Sequence, residues 1–219
     1  MNMRSGPDAV DVCTGSCPCA QVRHDPRLVV VTGGPGAGKT AVLEMARRSL
    51  CGHVVILPEA AGIVFGGGFP RLTSLPARRA AQRAIFCVQR QLERLHLEQR
   101  TAAVVLCDRG TLDGIAYWPG ERNDFETDMA VTVDAERARY AAVIHLRTPG
   151  QDKGYDHSNP LRTEDPDTAA EIDARIAEAW HHHPNRTIID ATVDFPTKAQ
   201  RALGAIAAEL PTCCNPEYS

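Results

Sequence analysis

The residues with the clearest chemical potential form a glycine-rich segment at positions 33–40. The segment has the pattern G-x-x-x-x-G-K-T and follows the apolar run at positions 28–31, which predicts a buried strand. Glycines here let backbone N–H groups point inward, and a helix starting at the end of the segment adds the positive end of its dipole. The pattern predicts a cradle for nucleotide phosphates, formed by Gly33, Gly34, Pro35, Gly36, Ala37, Gly38, Lys39 and Thr40.

Two side chains of this segment carry specific roles in that prediction. The Lys39 ammonium is expected to reach the β- and γ-phosphates, and the Thr40 hydroxyl is expected to ligate Mg²⁺. The alternative is a glycine-rich turn that binds nothing. The apolar residues that follow have helical spacing, and a strand, loop and helix in succession are the context that a phosphate loop requires. The sequence therefore favours nucleotide binding.

Charged residues follow the next two predicted strands. In a doubly wound parallel sheet the carboxyl ends of the strands face the ligand, so these residues are candidates for the chemistry. Asp108 is predicted to hold Mg²⁺ directly or through water. Glu59 is the candidate general base for an acceptor hydroxyl, with substrate binding or a structural role as alternatives. Arg109 is predicted either to clamp an anionic acceptor or to pair with a neighbouring carboxylate.

A long polar segment, residues 147–166, is rich in glycine, proline and charge. Loops of this length in compact domains are usually functional, and we predict a lid over the nucleotide. Closure would bring cations to the γ-phosphate and exclude water that would otherwise hydrolyse it. The cations of the lid are Arg147, Lys153 and Arg162, and we assign a catalytic role to Arg162.

The elements that must position these residues alternate between strand and helix. The predicted strands are residues 28–32, 53–57, 102–107, 142–146 and 187–190. This alternation predicts an α/β fold of the P-loop NTPase type, a three-layer sandwich. Its mostly parallel five-stranded sheet has helices on both faces and a lid loop. The predicted boundaries are a flexible cysteine-containing leader at 1–27, one kinase-like P-loop domain at 28–210 and a tail at 211–219.

Composition narrows the classes of function. The net charge is −3 and aromatic residues make up 5% of the chain, so neither a positive field nor a base-stacking surface indicates nucleic acid as a partner. Apolar runs are strand-sized, which predicts no membrane span and no secretion signal. We therefore expect a cytoplasmic protein.

The eight cysteines fall into two groups. The first group lies in or beside apolar elements and is predicted to be buried as reduced thiols: Cys51, Cys87 and Cys107. The second group lies in the terminal segments: Cys13, Cys17, Cys19, Cys213 and Cys214. A metal or redox site joining the two ends is one reading, but the spacing matches no standard zinc pair, and disordered tails are favoured.

Four motifs together carry a resemblance to a known family. They are G-G-P-G-A-G-K-T, P-E-A-A-G around Glu59, C-D-R-G-T-L-D-G-I-A-Y, and W-H-H-H-P followed by the T-I-I-D strand. In these motifs the chain resembles the NadR-type AAA domain family, over about residues 28–210. That family is named for the ribosylnicotinamide kinase domain of a bacterial regulator of NAD biosynthesis. It shares its core with thymidylate and deoxynucleoside kinases.

The resemblance implies an ATP·Mg²⁺-dependent fold with the strand order of nucleoside kinases and a lid after the fourth strand. It implies that adenine lies near the loop after the fifth strand, where Asp190 and Thr192 match by position. The Asp108-Arg109 pair is similar to the D-R motif of deoxynucleoside kinases, in which the arginine contacts substrate phosphates. Glu59 matches their base.

Two hypotheses follow. The first is an ATP-dependent kinase that transfers the γ-phosphoryl group to a hydroxyl of a small molecule, either nucleoside-like or another metabolite. The second is a nucleotide-dependent switch or ATPase acting through a protein partner. An N-K-x-D guanine motif is missing from the sequence, which weakens a GTPase reading. The predicted third strand ends in Asp-Arg rather than Asp-Glu, so the usual water-activating carboxylate of motor ATPases is missing as well.

Overall fold

The computed structural model describes residues 23–149, 166–191 and 194–214. Its strands are β1 (Arg27–Thr32), β2 (Val54–Leu57), β3 (Val104–Asp108), β4 (Ala142–Leu146) and β5 (Arg186–Ile189). Its α-helices are α1 (Lys39–Ser49), α2 (Ala60–Gly66), α3 (Leu75–Gln99), α4 (Gly114–Tyr117), α5 (Arg122–Met129), α6 (Val133–Arg137), α7 (Pro166–Ala179) and α8 (Phe195–Ala207). Two short 3-10 helices are Thr111–Asp113 and Thr212–Cys214.

The five strands form one sheet in the order β2-β3-β1-β4-β5, and every neighbouring pair is parallel. This confirms the predicted α/β fold of the P-loop NTPase type. β1 is central, with Val31 in register with Asp108 on one side and Thr32 with His145 on the other. Because parallel strands end at the same edge, the segments that follow β1, β2, β3 and β4 meet at one edge of the sheet.

Alternate residues of the central strand belong to two different core layers. Val29 and Val31 pack in the layer that contains residues of α1 and α8, whereas Val30 packs in the layer that contains Trp180. All three valines are fully buried. Burial on both faces explains why this strand reads as a continuous apolar run rather than an alternating one.

One helix was not predicted, and one local prediction was wrong. Helix α2 occupies Ala60–Gly66, a segment for which the sequence predicted no helix. This helix is short and buries only Ala60, so its apolar periodicity is too weak to detect. Cys87, predicted to be buried, is exposed on α3, whereas Cys107 is buried in β3 as predicted.

Several predicted segments lie wholly or mainly outside the described residues. These are most of the lid (150–165), most of the leader (1–22) and the last five residues (215–219). Within the described ranges, His24 and Cys214 are both buried, close to the two ends of the described chain. None of the helices in those ranges is both long enough and apolar enough to cross a membrane.

Candidate active site

The loop between β1 and α1, residues 33–40, has the backbone that its glycines allow. Gly33, Gly36 and Gly38 have φ angles of 140°, 77° and 94°, in the region that side chains rarely adopt. A Cβ atom added at Gly33 would lie 2.1 Å from the carbonyl oxygen of Leu146. Because α1 begins at Lys39, the free N–H groups of its first turn face this loop. The loop therefore has the form of an anion cradle.

Lys39 lies across this loop. Its Nζ atom donates to the carbonyl oxygens of Gly33 at 3.0 Å and Gly34 at 3.2 Å. Burial, together with the nearby positive charge of Arg109, lowers the pKa of Lys39 to about 8, against the opposing effect of Asp108. The ammonium is thus largely protonated at neutral pH and poorly hydrated, a state in which a phosphate oxygen is a favourable partner.

Asp108 ends β3, next to the central strand. Burial raises the pKa of its carboxyl to about 6, the charge of Glu59 adds to the rise, and Lys39 opposes it. The Asp108 Oδ1 atom is buried and finds no hydrogen-bond partner within the described part of the chain. An orphaned buried carboxylate oxygen and the exposed hydroxyl residue Thr40 at the start of α1 are oxygen donors of the kind that Mg²⁺ prefers.

Arg109 joins three segments of the site. Its Nε atom donates to Glu59 Oε1 at 2.7 Å, and its Nη1 atom donates to the Gly33 carbonyl oxygen at 3.2 Å. The residue has a φ of 73°, an uncommon value for a residue other than glycine. The Arg109 side chain is 16% exposed, whereas Glu59 is 41% exposed, so the carboxylate is the member of the pair that solvent reaches.

A buried carboxylate lies beneath this pair. Asp113 accepts hydrogen bonds from Thr32 Oγ1 at 2.7 Å and from Trp180 Nε1 at 2.6 Å. Arg109 lies 3.8 Å from the same carboxylate. Asp113 therefore joins the end of β1 to the residues that follow β3 and α7, and it gives Arg109 a second carboxylate neighbour besides Glu59.

Asp173 of α7 is a site residue that no sequence pattern indicated. Its Oδ1 atom accepts the backbone N–H of Gly34 and lies 2.9 Å from Nε2 of His145, while Arg147 lies 3.1 Å from its Oδ2. Burial alone raises the pKa of Asp173, but the bonds from His145 and Gly34 bring it below its usual value. Asp173 fixes the first turn of the phosphate loop against α7.

Helix α8, the next described helix after β5, begins beside the phosphate loop. Asp190 directly follows β5 and is exposed, while Thr192 lies outside the described residues. Phe195, the first residue of α8, is 43% exposed. A Cβ atom added at Gly38 would lie 3.0 Å from its ring. An exposed aromatic ring thus stands beside the phosphate loop, a residue that the sequence reading did not single out.

The structure brings together four of the predicted catalytic residues at one edge of the sheet: Lys39, Glu59, Asp108 and Arg109. The fifth, Arg162, lies outside the described residues, as does Lys153. Arg147 is described, and it pairs with Asp173 rather than lying over the loop as a lid cation.

The pattern of the AAA domain family matches residues 28–198 of the chain. The chain belongs to the AAA domain family. The match spans the phosphate loop, all five strands and the start of α8, so it covers the whole candidate site. The NadR-type P-loop resemblance drawn from the motifs is confirmed.

Solved structures share the fold of this AAA domain at low sequence identity. Thymidylate kinase from Candida albicans is 11% identical, with a TM-score of 0.58 over 84% of this chain and 92% of that protein. NadR in complex with NR is 14% identical, with a TM-score of 0.64 over 86% and 52%. NadR in complex with NAD and AMP-PNP is 16% identical, with a TM-score of 0.56 over 85% and 50%.

The AAA domain thus spans about half the length of the two NadR structures. No curated protein matches it in sequence.

Proposed function

We propose that this protein is an ATP·Mg²⁺-dependent kinase that transfers the γ-phosphoryl group to a hydroxyl group of a small molecule. The observation that carries the proposal is the convergence of a glycine-lined anion cradle with three charged groups. These are a partly buried lysine, a carboxylate with one buried oxygen that has no partner among the described residues, and an exposed carboxylate held by an arginine. Phosphoryl transfer depends mainly on positioning and electrostatic stabilisation, and these groups supply both.

The nucleotide is proposed to lie along the loop between β1 and α8. The N–H groups of residues 33–40 and the Lys39 ammonium bind the phosphates, with Lys39 exchanging its loop carbonyls for phosphate oxygens. Phe195 offers the adenine a partly exposed aromatic face at the end of the loop. Asp190 and Thr192, at the end of β5 and just after it, remain candidates for contacts with the base or ribose.

Mg²⁺ is proposed to be held by Thr40 and Asp108. When bound, Mg²⁺ would neutralise phosphate charge and stabilise the negative charge that develops on ADP as the leaving group. The role of the chain is to present the Asp108 carboxylate in its charged form. Although burial raises the pKa of Asp108 to about 6, this is still below neutral pH, so the charged form prevails there. The orphaned Oδ1 atom supports this role, since a buried carboxylate oxygen without a partner is costly until it finds a cation.

The acceptor hydroxyl is proposed to approach Glu59. Glu59 takes the hydroxyl proton, the acceptor oxygen forms a bond to the γ-phosphorus, and the bond from that phosphorus to the β-γ bridging oxygen breaks. Arg109 orients the carboxylate through the 2.7 Å bond and places a positive charge beside the transferring group. Arg162, which lies outside the described residues, is the proposed lid cation.

The choice of acceptor class draws on the fold relatives. One of them is a thymidylate kinase, and another is a NadR protein in complex with NR. Nucleosides and nucleotides are therefore the first acceptors to test, followed by a pool of other hydroxylated metabolites.

The test uses ATP labelled on the γ-phosphorus, Mg²⁺ and the full chain, with this acceptor panel. A kinase produces a labelled organic phosphate whose yield depends on the acceptor. Label found only in inorganic phosphate contradicts the kinase and supports the ATPase alternative. A melting temperature that ATP·Mg²⁺ does not raise contradicts both.

Glu59→Gln separates catalysis from binding. The amide keeps the size of the side chain and a bond to Arg109 but cannot take a proton, so kcat is expected to fall roughly 10²- to 10⁴-fold while the Kd for ATP stays within about threefold. Glu98→Gln, which changes an exposed carboxylate paired with Arg94, is the matched control. Equal losses in kcat and ATP affinity would assign Glu59 to substrate binding instead.

A further inference from the structure

Three potential metal ligands converge at the end of the sheet away from the phosphate loop. Cys214 Sγ lies 3.6 Å from His53 Nδ1 and 3.9 Å from His24 Nε2, and all three donor atoms lie within 4.8 Å of one another. The two imidazole rings have centroids 5.0 Å apart. His24 and Cys214 are buried, and His53 is partly buried. The residues are distant in sequence, so only the fold brings them together.

The spacing of these atoms suits a tetrahedral zinc ion. Zinc bonds of about 2.3 Å to sulfur and about 2.0–2.1 Å to nitrogen hold those two atoms about 3.5 Å apart. The two sulfur to nitrogen separations, 3.6 and 3.9 Å, differ from that value by a few tenths of an ångström. Small side-chain rotations would therefore bring all three atoms to an ion at their centre.

A second sulfur stands beside this group. Cys51 Sγ lies 4.0 Å from His53 Nδ1, two residues away along the chain. We propose that His24, His53 and Cys214, with Cys51 as the fourth ligand, form a structural zinc site. Two thiolates and two neutral imidazoles balance the charge of Zn²⁺, and a tetrahedral set of two sulfurs and two nitrogens selects zinc over harder cations.

The position of the cluster indicates its role. His24 lies three residues before β1, His53 directly precedes β2, and Cys214 ends the last 3-10 helix. The phosphate loop leaves the opposite end of β1, roughly 20 Å away for a strand of this length. The ion ties both ends of the described chain to the amino-terminal edge of the sheet. Its role is stabilisation, and it holds whether or not the protein is a kinase.

The backbone around the cluster is already fixed. The His53 carbonyl oxygen accepts the N–H groups of Ala103 at 2.8 Å and Val104 at 3.2 Å, and the Arg27 N–H donates to the Ala103 carbonyl oxygen. The amino ends of β1, β2 and β3 are therefore locked together, and Cys214 packs in the core beside them. A rigid frame of this kind lowers the entropic cost of gathering the ligands.

The first experiment uses the unmodified full chain. Purified in the presence of zinc and then dialysed, it is expected to retain about one zinc per chain by elemental analysis. After removal of zinc with a chelator, Co²⁺ is expected to give thiolate-to-cobalt charge-transfer absorption and strong visible d–d bands typical of tetrahedral coordination. Chelation is expected to lower the melting temperature by about 5–10 °C, and zinc is expected to restore it.

Variants then assign the ligands. Cys214→Ser and His53→Asn are each expected to lose the zinc and the tetrahedral cobalt spectrum, and Cys51→Ser is expected to weaken zinc binding at least tenfold. Cys87→Ser, which changes an exposed cysteine of α3, is the matched control and is expected to retain the metal. A chain with Cys13, Cys17 and Cys19 all changed to serine is also expected to retain it.

Several results would overturn the site. One is a chain without zinc whose cobalt titration lacks the thiolate band, and another is a Cys51 to Cys214 disulfide found by mass spectrometry in place of metal. Zinc lost equally from the Cys87→Ser chain, or lost when only the three leader cysteines are changed, would also contradict it. The cobalt titration needs no variant, so it decides the question even if a variant does not fold.

Discussion

Two clusters of charged residues meet the segment after β3, one at Thr111 and the other at Arg109, and they are built on opposite principles. The Glu93 network consists of Gln89, Glu93, Thr111, Glu136, Arg139 and Tyr140. The loop cluster consists of Lys39, Glu59, Asp108 and Arg109. In the first, both oxygens of the central carboxylate have partners. In the second, one carboxylate oxygen has none among the described residues.

The bonds of the Glu93 network illustrate complete pairing. Glu93 is fully buried, and its Oε1 accepts from Gln89 at 2.8 Å and from the Tyr140 hydroxyl at 2.7 Å, while Arg139 binds Oε2. Burial raises the pKa of Tyr140 well above its usual range, so the phenol stays protonated and donates a hydrogen bond to Glu93. A network whose central carboxylate has partners on both oxygens specifies how α3 packs against the segments around it. It leaves that carboxylate without a free hydrogen-bonding position for a ligand.

The loop cluster differs because its charges are held in unfavourable surroundings. The pKa of Lys39 falls to about 8 and that of Asp108 rises to about 6, so both charged forms are disfavoured compared with water. Perturbed groups that converge on one open edge are typical of functional sites. The comparison teaches that buried charge by itself does not identify an active site, whereas buried charge left incompletely paired does.

The largest effect is expected from breaking the saturated network. Glu93→Ala leaves Arg139 and Tyr140 without their buried acceptor, and the free energy of unfolding is expected to fall by about 3–5 kcal/mol. Urea unfolding measures this loss. Glu98→Ala, which changes an exposed pair on the same helix, should cost less than about 0.5 kcal/mol. Similar losses in the two variants would contradict the contrast drawn above.

Lys39→Ala tests the loop cluster, where we expect a loss of activity rather than a loss of stability. Phosphoryl transfer is expected to fall about 10²- to 10³-fold, because a preorganised charge on the phosphates is removed. Stability is expected to hold or rise, since the variant no longer buries a desolvated ammonium. Transfer assays and thermal melts are compared with those of Arg47→Ala at the exposed end of α1. A variant that unfolds would place Lys39 among the structural residues.

The pH dependence of the loop cluster follows from its two displaced pKa values. Transfer needs Asp108 ionised and Lys39 protonated, so kcat/KM for ATP·Mg²⁺ is expected to peak between about pH 6 and pH 8. Below pH 6 it should fall about tenfold per pH unit. In Asp108→Asn this fall of kcat/KM at low pH, the acid limb of the profile, should disappear. Most of the dependence of kcat/KM on Mg²⁺ should be lost as well. An acid limb that persists in this variant would assign it to another group.

The same pKa shift has a consequence for stability, with a definite sign. Because the folded pKa of Asp108 lies above the unfolded value of 3.8, the folded state holds the proton more tightly between about pH 4 and pH 6. The contribution of this residue to stability therefore decreases as pH rises through that window. We therefore expect the urea midpoint of the natural chain to decrease more between pH 4.5 and pH 6.5 than the urea midpoint of Asp108→Asn.

The smallest effect is expected at the surface of α3. Arg83 pairs with Asp128 at 3.1 Å, with the two side chains 45% and 30% exposed. Removing this pair by Arg83→Ala is expected to cost about 0.2–1 kcal/mol, with no change in phosphoryl transfer. A loss of transfer would show that α3 contributes to the acceptor site.

The sequence alone determined the phosphate loop and the class of fold. Residues 33–40 were readable because the loop is one continuous segment whose function depends on the residue types at fixed spacings. Strand positions were readable because buried parallel strands are apolar runs, and the predicted strand from residue 142 to 146 coincides with β4. From these two facts followed the placement of Glu59, Asp108 and Arg109 at one edge of the sheet.

Only the tertiary structure decided which side chains meet. Glu59 and Arg109 are 50 residues apart, Asp173 reaches Gly34 across 139, and Cys214 reaches His24 across 190. Asp173 looks like any charged residue of an amphipathic helix, since nothing local records which face docks on the loop. Such contacts depend on how whole helices and strands pack. That packing depends on many residues distant in sequence, so the residues in contact do not reveal it by themselves.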